Sequence, residues 1–483
     1  TAVMVKSDGT VEAVATITET QSSATQQSSY ALDGVRGAYN PATGKVIMVW
    51  SGVSGSKGYS RVGTVSGTSI SWGSAVQFQP NGEIRDADVA FHPPTGKVIC
   101  CYRAYWYSGQ PGWAQVGTIS GNSVTWGSET QYKSDYAEEN HIWYDPAASG
   151  YMHVAFKASG GGRYASFLIS TSNNTCSCVS GNNSAVTFTS DGARNPEVCV
   201  HGKGGVLFTW SAQNNSYVAY TRGAVWDSTN NDYDFAGAQG GMDSSAVSFS
   251  VAYDDKKELF LCTYIRASNS DDVGCKIGTP SGSGTSLQIS WGSQIGGSTN
   301  IMSSAQSYNS LQYDNGSGKF LIATSGSNTM RHRTLEIATN NTSLNKGTEY
   351  TAFTGYGSSP SVNYSHIFHA RTTSTTNDSA SDGKYIVGSV WYYSGSTYRQ
   401  PMYYIKQMAG TNLDADRYLG IASAGYSNGQ TASINIIGGT ATSSSLTPNN
   451  KYYVQSDGTI GATETSLKVG KAYTSTKILI DPH

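Results

Sequence analysis

One phrase recurs along this chain and limits what it can fold into. Val62-Gly63-Thr64-Val65-Ser66-Gly67-Thr68-Ser69-Ile70-Ser71-Trp72-Gly73-Ser74 returns as Val116-Gly117-Thr118-Ile119-Ser120-Gly121-Asn122-Ser123-Val124-Thr125-Trp126-Gly127-Ser128, and, degraded, as Ile277-Gly278-Thr279 through Ile289-Ser290-Trp291-Gly292-Ser293. Each copy is two alternating segments joined by a Ser-Gly turn, the pattern of a β-hairpin. A hairpin that recurs at a period of about 50 residues builds an array of small sheets.

Ahead of each hairpin stands a second recurring element, two apolar segments around a turn, as in Ala38–Trp50 (with Pro41 and Gly44) and Ala90–Tyr102 (with Pro93 and Gly96). Pro with Gly three residues on is turn chemistry between strands. Seven copies are present, the later ones opening at Trp143-Tyr144-Asp145, Cys199-Val200-His201, Ala252-Tyr253-Asp254, Gln312-Tyr313-Asp314 and Asn363-Tyr364-Ser365-His366. Four antiparallel strands per copy in a radial array predict an all-β chain whose main body, residues 30–410, is a seven-bladed β-propeller of four-stranded blades. A solenoid and tandem sandwiches are the other all-β arrangements of such units.

After residue 410 the pattern changes to short strands separated by Asn428-Gly429, Gly438-Gly439, Pro448-Asn449-Asn450 and Asp457-Gly458, which predicts a small C-terminal β domain over 411–483. Its hairpin Val454-Gln455-Ser456-Asp457-Gly458-Thr459-Ile460 is echoed by Val5-Lys6-Ser7-Asp8-Gly9-Thr10-Val11. The N-terminal part, 1–29, therefore reads as a β hairpin that pairs with the C-terminal domain or a neighbouring subunit, followed by a Ser/Thr/Gln-rich linker from Thr18 to Ser29.

Only 13% of the 483 residues are charged and the formal net charge is −2, with signs interspersed, so no basic stripe offers a nucleic-acid footprint. No apolar run is long enough to cross a bilayer as a helix, and Thr1-Ala2-Val3-Met4-Val5 carries no secretory pattern; a chain opening without Met is expected to be trimmed or partial. Seven cysteines include the adjacent pair Cys100-Cys101, which must face opposite sides of a strand. Cys262 and Cys275 flank a turn and could bridge, but buried free thiols are the expectation.

Aligned on the inner-strand aromatic, the copies place Arg36, Asp88, His141, Glu197, Ser250, Ser310 and Ser361 at one position. Asp33, Arg85, Glu138, Arg194, Val247, Ser307 and Ser358 fall three residues earlier. Charge thus collects on copies one to four, at the expected mouth of a central channel. A hydrolytic reading makes Asp88 and Glu197 a carboxylate pair, with Arg85 and Arg194 as binders of an acidic sugar. A scaffold reading, the favoured one, pairs Arg85 with Asp86 or Glu138 and Arg194 with Glu197 to hold neighbouring units in register. The Ser-x-Asp-x-Gly-x-Thr-Trp repeat of sialidases is missing from the sequence.

The loop Ala104–Trp113 concentrates Tyr105, Trp106, Tyr107 and Trp113 among Gly and Ser, and aromatic faces of this kind stack on sugar rings. With Arg36 and His141 at the channel mouth it makes the candidate binding surface. A second aromatic group, Trp391, Tyr392, Tyr393, Tyr398, Tyr403 and Tyr404, alternates as a strand would, which sends about half of it into a core. Asn230-x-Asp232-x-Asp234 alternates oxygen ligands but lacks the Gly and Glu of a calcium loop, a weak metal candidate. No metal or organic cofactor is expected.

The C-terminal run Tyr418-Leu419-Gly420-Ile421, Gly429-Gln430-Thr431-Ala432, Leu446-Thr447-Pro448, Tyr452-Tyr453-Val454, Asp457-Gly458-Thr459 and Val469-Gly470-Lys471-Ala472 to Leu479-Ile480 resembles the end domain of tail-fibre and other virion proteins of marine and cyanobacterial tailed bacteriophages. The Val-Gly-Thr repeats are similar to propeller-like segments of the same proteins. The resemblance implies a non-enzymatic structural and adhesion protein on the virion surface, held to other virion subunits through its terminal β regions. Its propeller would meet a host glycan or protein, and homo-oligomerisation would follow by analogy with fibres. The alternative is a propeller glycoside hydrolase or sialidase-like depolymerase.

Overall fold

The computed structural model describes residues 2–5, 11–26, 35–52, 57–179, 185–202, 204–213, 217–240, 242, 246–266, 273–295, 301–302, 308–326, 329–354, 361–368, 383–392, 399–411, 418–427, 429–465 and 467–481. The chain forms two compact units, one of residues 1–20, 379–383 and 407–483, the other of 21–378 and 384–406. Regular structure is β-strand with short 3-10 turns such as Pro146–Ala148.

Among its described residues the larger unit holds antiparallel sheets of four or five strands, which follow one another along the chain and are called here the first to the seventh. Their first strands are Arg36–Asn40, Ile84–His92, Ala137–Trp143, Ala193–His201, Ala246–Asp254, Tyr308–Asp314 and Ser361–Phe368. Each meanders outward through the next two strands to a short outer one. The second strands Lys97–Ala104 and Gly205–Ala212 are buried at every position, because each sheet is covered on both faces by its neighbours. Cys100 accordingly enters the core shared by sheets one and two, and Cys101 the core shared by sheets two and three. All seven cysteines are buried free thiols; Cys262 stands opposite Lys276 and Cys275 opposite Thr263.

Successive first strands touch in order, and Ser361–Phe368 in turn touches Arg36–Asn40. Val35, Tyr39, Met48, Phe368, Ile386, Tyr403 and Ile405 form one apolar cluster across that last junction. The segment expected to be a linker takes part: Thr25 and Gln26 pair with Tyr403 and Met402, and Ser22 donates its N–H to the Ile405 carbonyl at 2.9 Å. Thr and Gln suit an exposed edge strand, so low hydrophobicity here marks an edge rather than a free tether.

The repeated phrase is an inter-sheet latch. Gly73 and Gly127 lie against the backbone carbonyls of Asn122 and Asn174, the turn residues of the next sheet's outer hairpin, so closely that a β-carbon would collide. Asn122 and Asn174 each donate their amide to the strand before that glycine, to Ser71 and Thr125 carbonyls at 2.8 Å. Each also accepts from the threonine of the preceding Val-Gly-Thr, Thr64 and Thr118, at 2.6 Å. The tryptophans reach backward instead: Trp126 Nε1 donates to Ser60 Oγ at 2.9 Å and Trp72 Nε1 to the Tyr403 hydroxyl at 2.9 Å.

The smaller unit is built from both ends of the chain. Ala2–Val5 lies between Val11–Ala13 and Tyr418–Ala422, with Ala2 opposite Ile421. Ala2, Met4 and Val14 share one core with Leu446, Tyr452, Val454, Val469 and Ile478. The two echoed hairpins have matching registers, Val5 opposite Val11 and Val454 opposite Ile460.

Candidate functional site

On the second to sixth sheets the position that the alignment picked out in the first strand forms a belt between sheets. Asp88 Oδ2 accepts from Ile142 N at 3.0 Å, Glu197 Oε2 from Val251 N at 3.3 Å, Ser250 Oγ from Leu311 N at 2.9 Å and Ser310 Oγ from Ile367 N at 3.1 Å. His141 Nε2 meets the Val198 carbonyl at 3.2 Å, as a ring N–H donor. In every case the partner is the residue just after the equivalent position of the next sheet. That register puts His366, opposite Gly388, on the seventh sheet, where the sequence alignment had Ser361. The seventh copy was misread because Tyr364 imitates an inner-strand aromatic five residues early.

Arg36 is the exception. A guanidinium cannot accept, and among the described residues it donates to the Val35 carbonyl at 3.4 Å. Val89 N at that junction is taken by Asp88 itself, through Oδ1 at 3.0 Å. Buried Asp88 therefore holds backbone donors of two sheets, and Glu197 lies on a sheet further on with a backbone donor of its own. The two carboxylates that the alternative, hydrolytic reading would pair each accept a backbone N–H of the next sheet.

Upstream of the belt, sheets two to five carry the same irregularity. Asp86, Glu139, Asn195 and Ser248 adopt left-handed backbone with φ of 50°, 55°, 46° and 51°, and the ladder register shifts there. Bulges of this kind re-aim the flanking side chains. On sheets two to four those side chains make an ion-pair rim. Arg85 pairs with Glu83 at 2.5 Å, and buried Arg103 pairs with Asp86 at 2.8 Å and Glu138 at 2.7 Å. Lys157 reaches Glu138 at 2.9 Å and Arg194 reaches Glu139 at 3.8 Å. Burial alone would raise the Glu138 carboxyl; hydrogen bonds from Tyr136 and Lys157 and the Arg103 charge outweigh it and hold it below its ordinary value. Ion pairing was the expected scaffold role, but the partners differ: Arg85 takes Glu83, and Arg194 takes Glu139 rather than Glu197. Arg103 was missed; its signal was a cation following the apolar run Val98–Tyr102, next to the aromatic loop.

The aromatic loop sits on this rim. Tyr105 N donates to the Glu83 carbonyl at 2.9 Å, Ala104 N to Pro111 at 2.9 Å, and Tyr136 N to Gly109 at 2.7 Å, so the loop is tied to its own sheet and the next. Trp106 and Trp113 pack partly buried on the core of sheets one and two, Trp106 lying over Gly82. Tyr105 and Tyr107 are 37% and 59% exposed. The Arg85 guanidinium lies 3.6 Å above the Tyr105 ring. Four candidate aromatics thus divide into two anchors and two presented rings. Of the second group, Tyr403 and Tyr404 are buried, and the side chains of Trp391, Tyr392, Tyr393 and Tyr398 lie outside the described residues.

Two residues of the metal candidate have protein partners. Asn230 donates its amide to Asp227 Oδ2 at 2.6 Å, and Asp232 accepts from Tyr233 N at 2.9 Å. Among the described residues no three His, Cys, Asp or Glu side chains gather as a metal would need.

No protein-family model and no curated protein matches the chain. Solved structures do. A Dyadobacter fermentans protein of unknown function is 11% identical over 82% of this chain and 100% of its own, with a TM-score of 0.41. Saccharomyces cerevisiae Sqt1 is 10% identical over 80% and 99%, TM-score 0.44. The polysaccharide lyase Uly1 is 9% identical over 75% and 88%, TM-score 0.42. Likeness this distant says nothing of activity.

Proposed function

We propose that the chain is a non-enzymatic recognition protein whose larger unit is a seven-bladed β-propeller, carried on the surface of a tailed-phage virion. The observation that carries recognition is the loop Tyr105–Pro111: two exposed tyrosines, backed by two anchored tryptophans and fixed by backbone hydrogen bonds, form a preorganised aromatic surface. Preorganisation lowers the entropy cost of binding. The hydrolase alternative has less support, since Asp88 and Glu197 accept backbone N–H groups where an acid and a nucleophile would need to face a substrate.

The virion placement rests on the resemblance of the C-terminal run. It is supported by where apolar surface lies: of nine large apolar side chains exposed among the described residues, Val11, Tyr426, Ile436, Ile437, Tyr473 and Leu479 belong to the smaller unit. Such concentration suits attachment to other virion subunits. Two measurements test the reading. Full-length protein should bind a host envelope fraction and release no sugar from it; release of reducing ends, abolished by Glu197→Gln, would install the hydrolase instead. Antibody-labelled virions should carry the protein on their surface.

A further inference from the structure

We propose that the ligand of the Tyr105–Tyr107 surface is an uncharged sugar chain, an inference that rests on the recognition reading above and narrows it. The arginines that first suggested an acidic sugar are all matched locally. Arg85 has Glu83, Arg103 has Asp86 and Glu138, Lys157 shares Glu138, Arg194 has Glu139, and Lys133 has Asp135. Five cations thus stand against five carboxylates along the rim. A carboxylate or sulfate arriving at these five cations would have to displace a carboxylate already in place.

What the rim does present suits a neutral ring. Arg85 stacks at 3.6 Å on one face of Tyr105 while its Nε holds Glu83, so it fixes the phenol as a platform rather than reaching outward. Arg103 lies 5.4 and 5.6 Å from the Tyr105 and Tyr136 rings while donating to Gln110 at 2.8 Å, which ties it to the same group. Tyr105 and Tyr107 with Leu168 are the only large apolar side chains exposed among the larger unit's described residues. Flat aromatic faces beside amide and hydroxyl groups match the alternating C–H faces and hydroxyl edges of a pyranose. An aliphatic protein anchor would want a pocket, which two protruding tyrosines do not provide.

The test uses the full chain against an oligosaccharide array holding neutral glucans, mannans and galactans beside uronate-, sulfate- and sialate-bearing chains, at low and high salt. Neutral chains should bind with affinity unchanged by salt within about twofold. Tyr105→Ala, an exposed position, should weaken that binding about tenfold with an unaltered unfolding midpoint. Glu83→Gln, which removes the carboxylate paired with Arg85, should add salt-sensitive binding to acidic chains. Wild-type preference for acidic chains that fades with salt overturns the sugar class and leaves recognition standing. Absence of any array binding, with envelope binding that survives periodate but not protease, overturns the sugar in favour of a protein receptor. Absence of both removes the recognition reading itself.

Discussion

The outer latch and the inner belt join neighbouring sheets by opposite means. At the latch one side chain must both donate and accept, Asn174 to the Thr125 carbonyl and from the Thr118 hydroxyl, and a glycine must stand where no β-carbon fits. Few residues meet that demand, so the same residues return: Thr64, Gly73 and Asn122, then Thr118, Gly127 and Asn174. At four belt positions the demand is only an acceptor over a backbone N–H, which aspartate, glutamate and serine all supply, while His141 donates to a carbonyl instead. Narrow chemistry repeats in sequence, whereas permissive chemistry repeats only in space. Function has room where the scaffold is permissive or absent, and the Tyr105 loop belongs to neither system.

The largest effect is expected in the belt. Asp88→Ala leaves Val89 and Ile142 N–H groups buried without their acceptor, at about 1–3 kcal/mol each, so about 4 kcal/mol in all. Urea titration measures it; a loss below about 1 kcal/mol would mean that water replaces the carboxylate and that the belt is not structural. Acid comes next and acts beside the latch. Burial holds His153 down to about 3, and burial with the Lys97 charge holds His92 down to about 4. Lys97 itself bonds the Ser170 and Asn173 carbonyls next to the latch asparagine. A histidine with a depressed folded pKa stabilises the fold above its unfolded pKa, near 6.5, and loses that contribution as pH falls toward the folded value. His153 alone should therefore remove about 1.4 kcal/mol per pH unit below about 6.5. His153→Gln should flatten that slope, and hydrogen exchange should quicken first in the outer strands of sheets two and three.

How much of this the sequence discloses follows from the same contrast. The latch hairpins and the Pro-to-Gly turns are legible because identical contacts enforce identical residues, and they locate six of the seven first strands. His366 was hidden because its neighbour Tyr364 offers the aromatic cue while residues between 369 and 382 interrupt the turn spacing. Asp88 and Glu197 stood out as charges, but their partners are backbone N–H groups, which no side-chain pattern announces. Tyr105 and Tyr107 were visible as a cluster with Trp106 and Trp113; which of the four are presented depends on Gly82 and the neighbouring core, three-dimensional facts. The shared Ser-Asp-Gly-Thr sequence pointed the N-terminal hairpin to the C-terminal domain or to a neighbouring subunit, and its strand Ala2–Val5 pairs with Tyr418–Ala422, outside the echoed hairpin.

Gly127→Val tests the latch sterically. The new side chain must push the Asn174 turn away, breaking both asparagine hydrogen bonds, at about 2 kcal/mol. Proteolysis should then begin in the third sheet's outer hairpin. Cleavage that starts in the belt strands would show that the two systems are one cooperative unit.

The smallest and sharpest pair exchanges amide and carboxylate at nearly constant shape. Glu197→Gln keeps an oxygen for Val251 N, so the acceptor-only rule expects a change within about 0.5 kcal/mol. Asn174→Asp keeps the acceptor for Thr118 but sets a carboxylate against the Thr125 carbonyl, and should lose about 1 kcal/mol at neutral pH. Lowering the pH should restore part of that loss as the new carboxyl regains a proton to donate, measured against wild type to subtract the histidine effect. If the two swaps instead change stability equally, donor and acceptor demands do not distinguish latch from belt, and the recurrence of asparagine in the outer hairpins needs another cause.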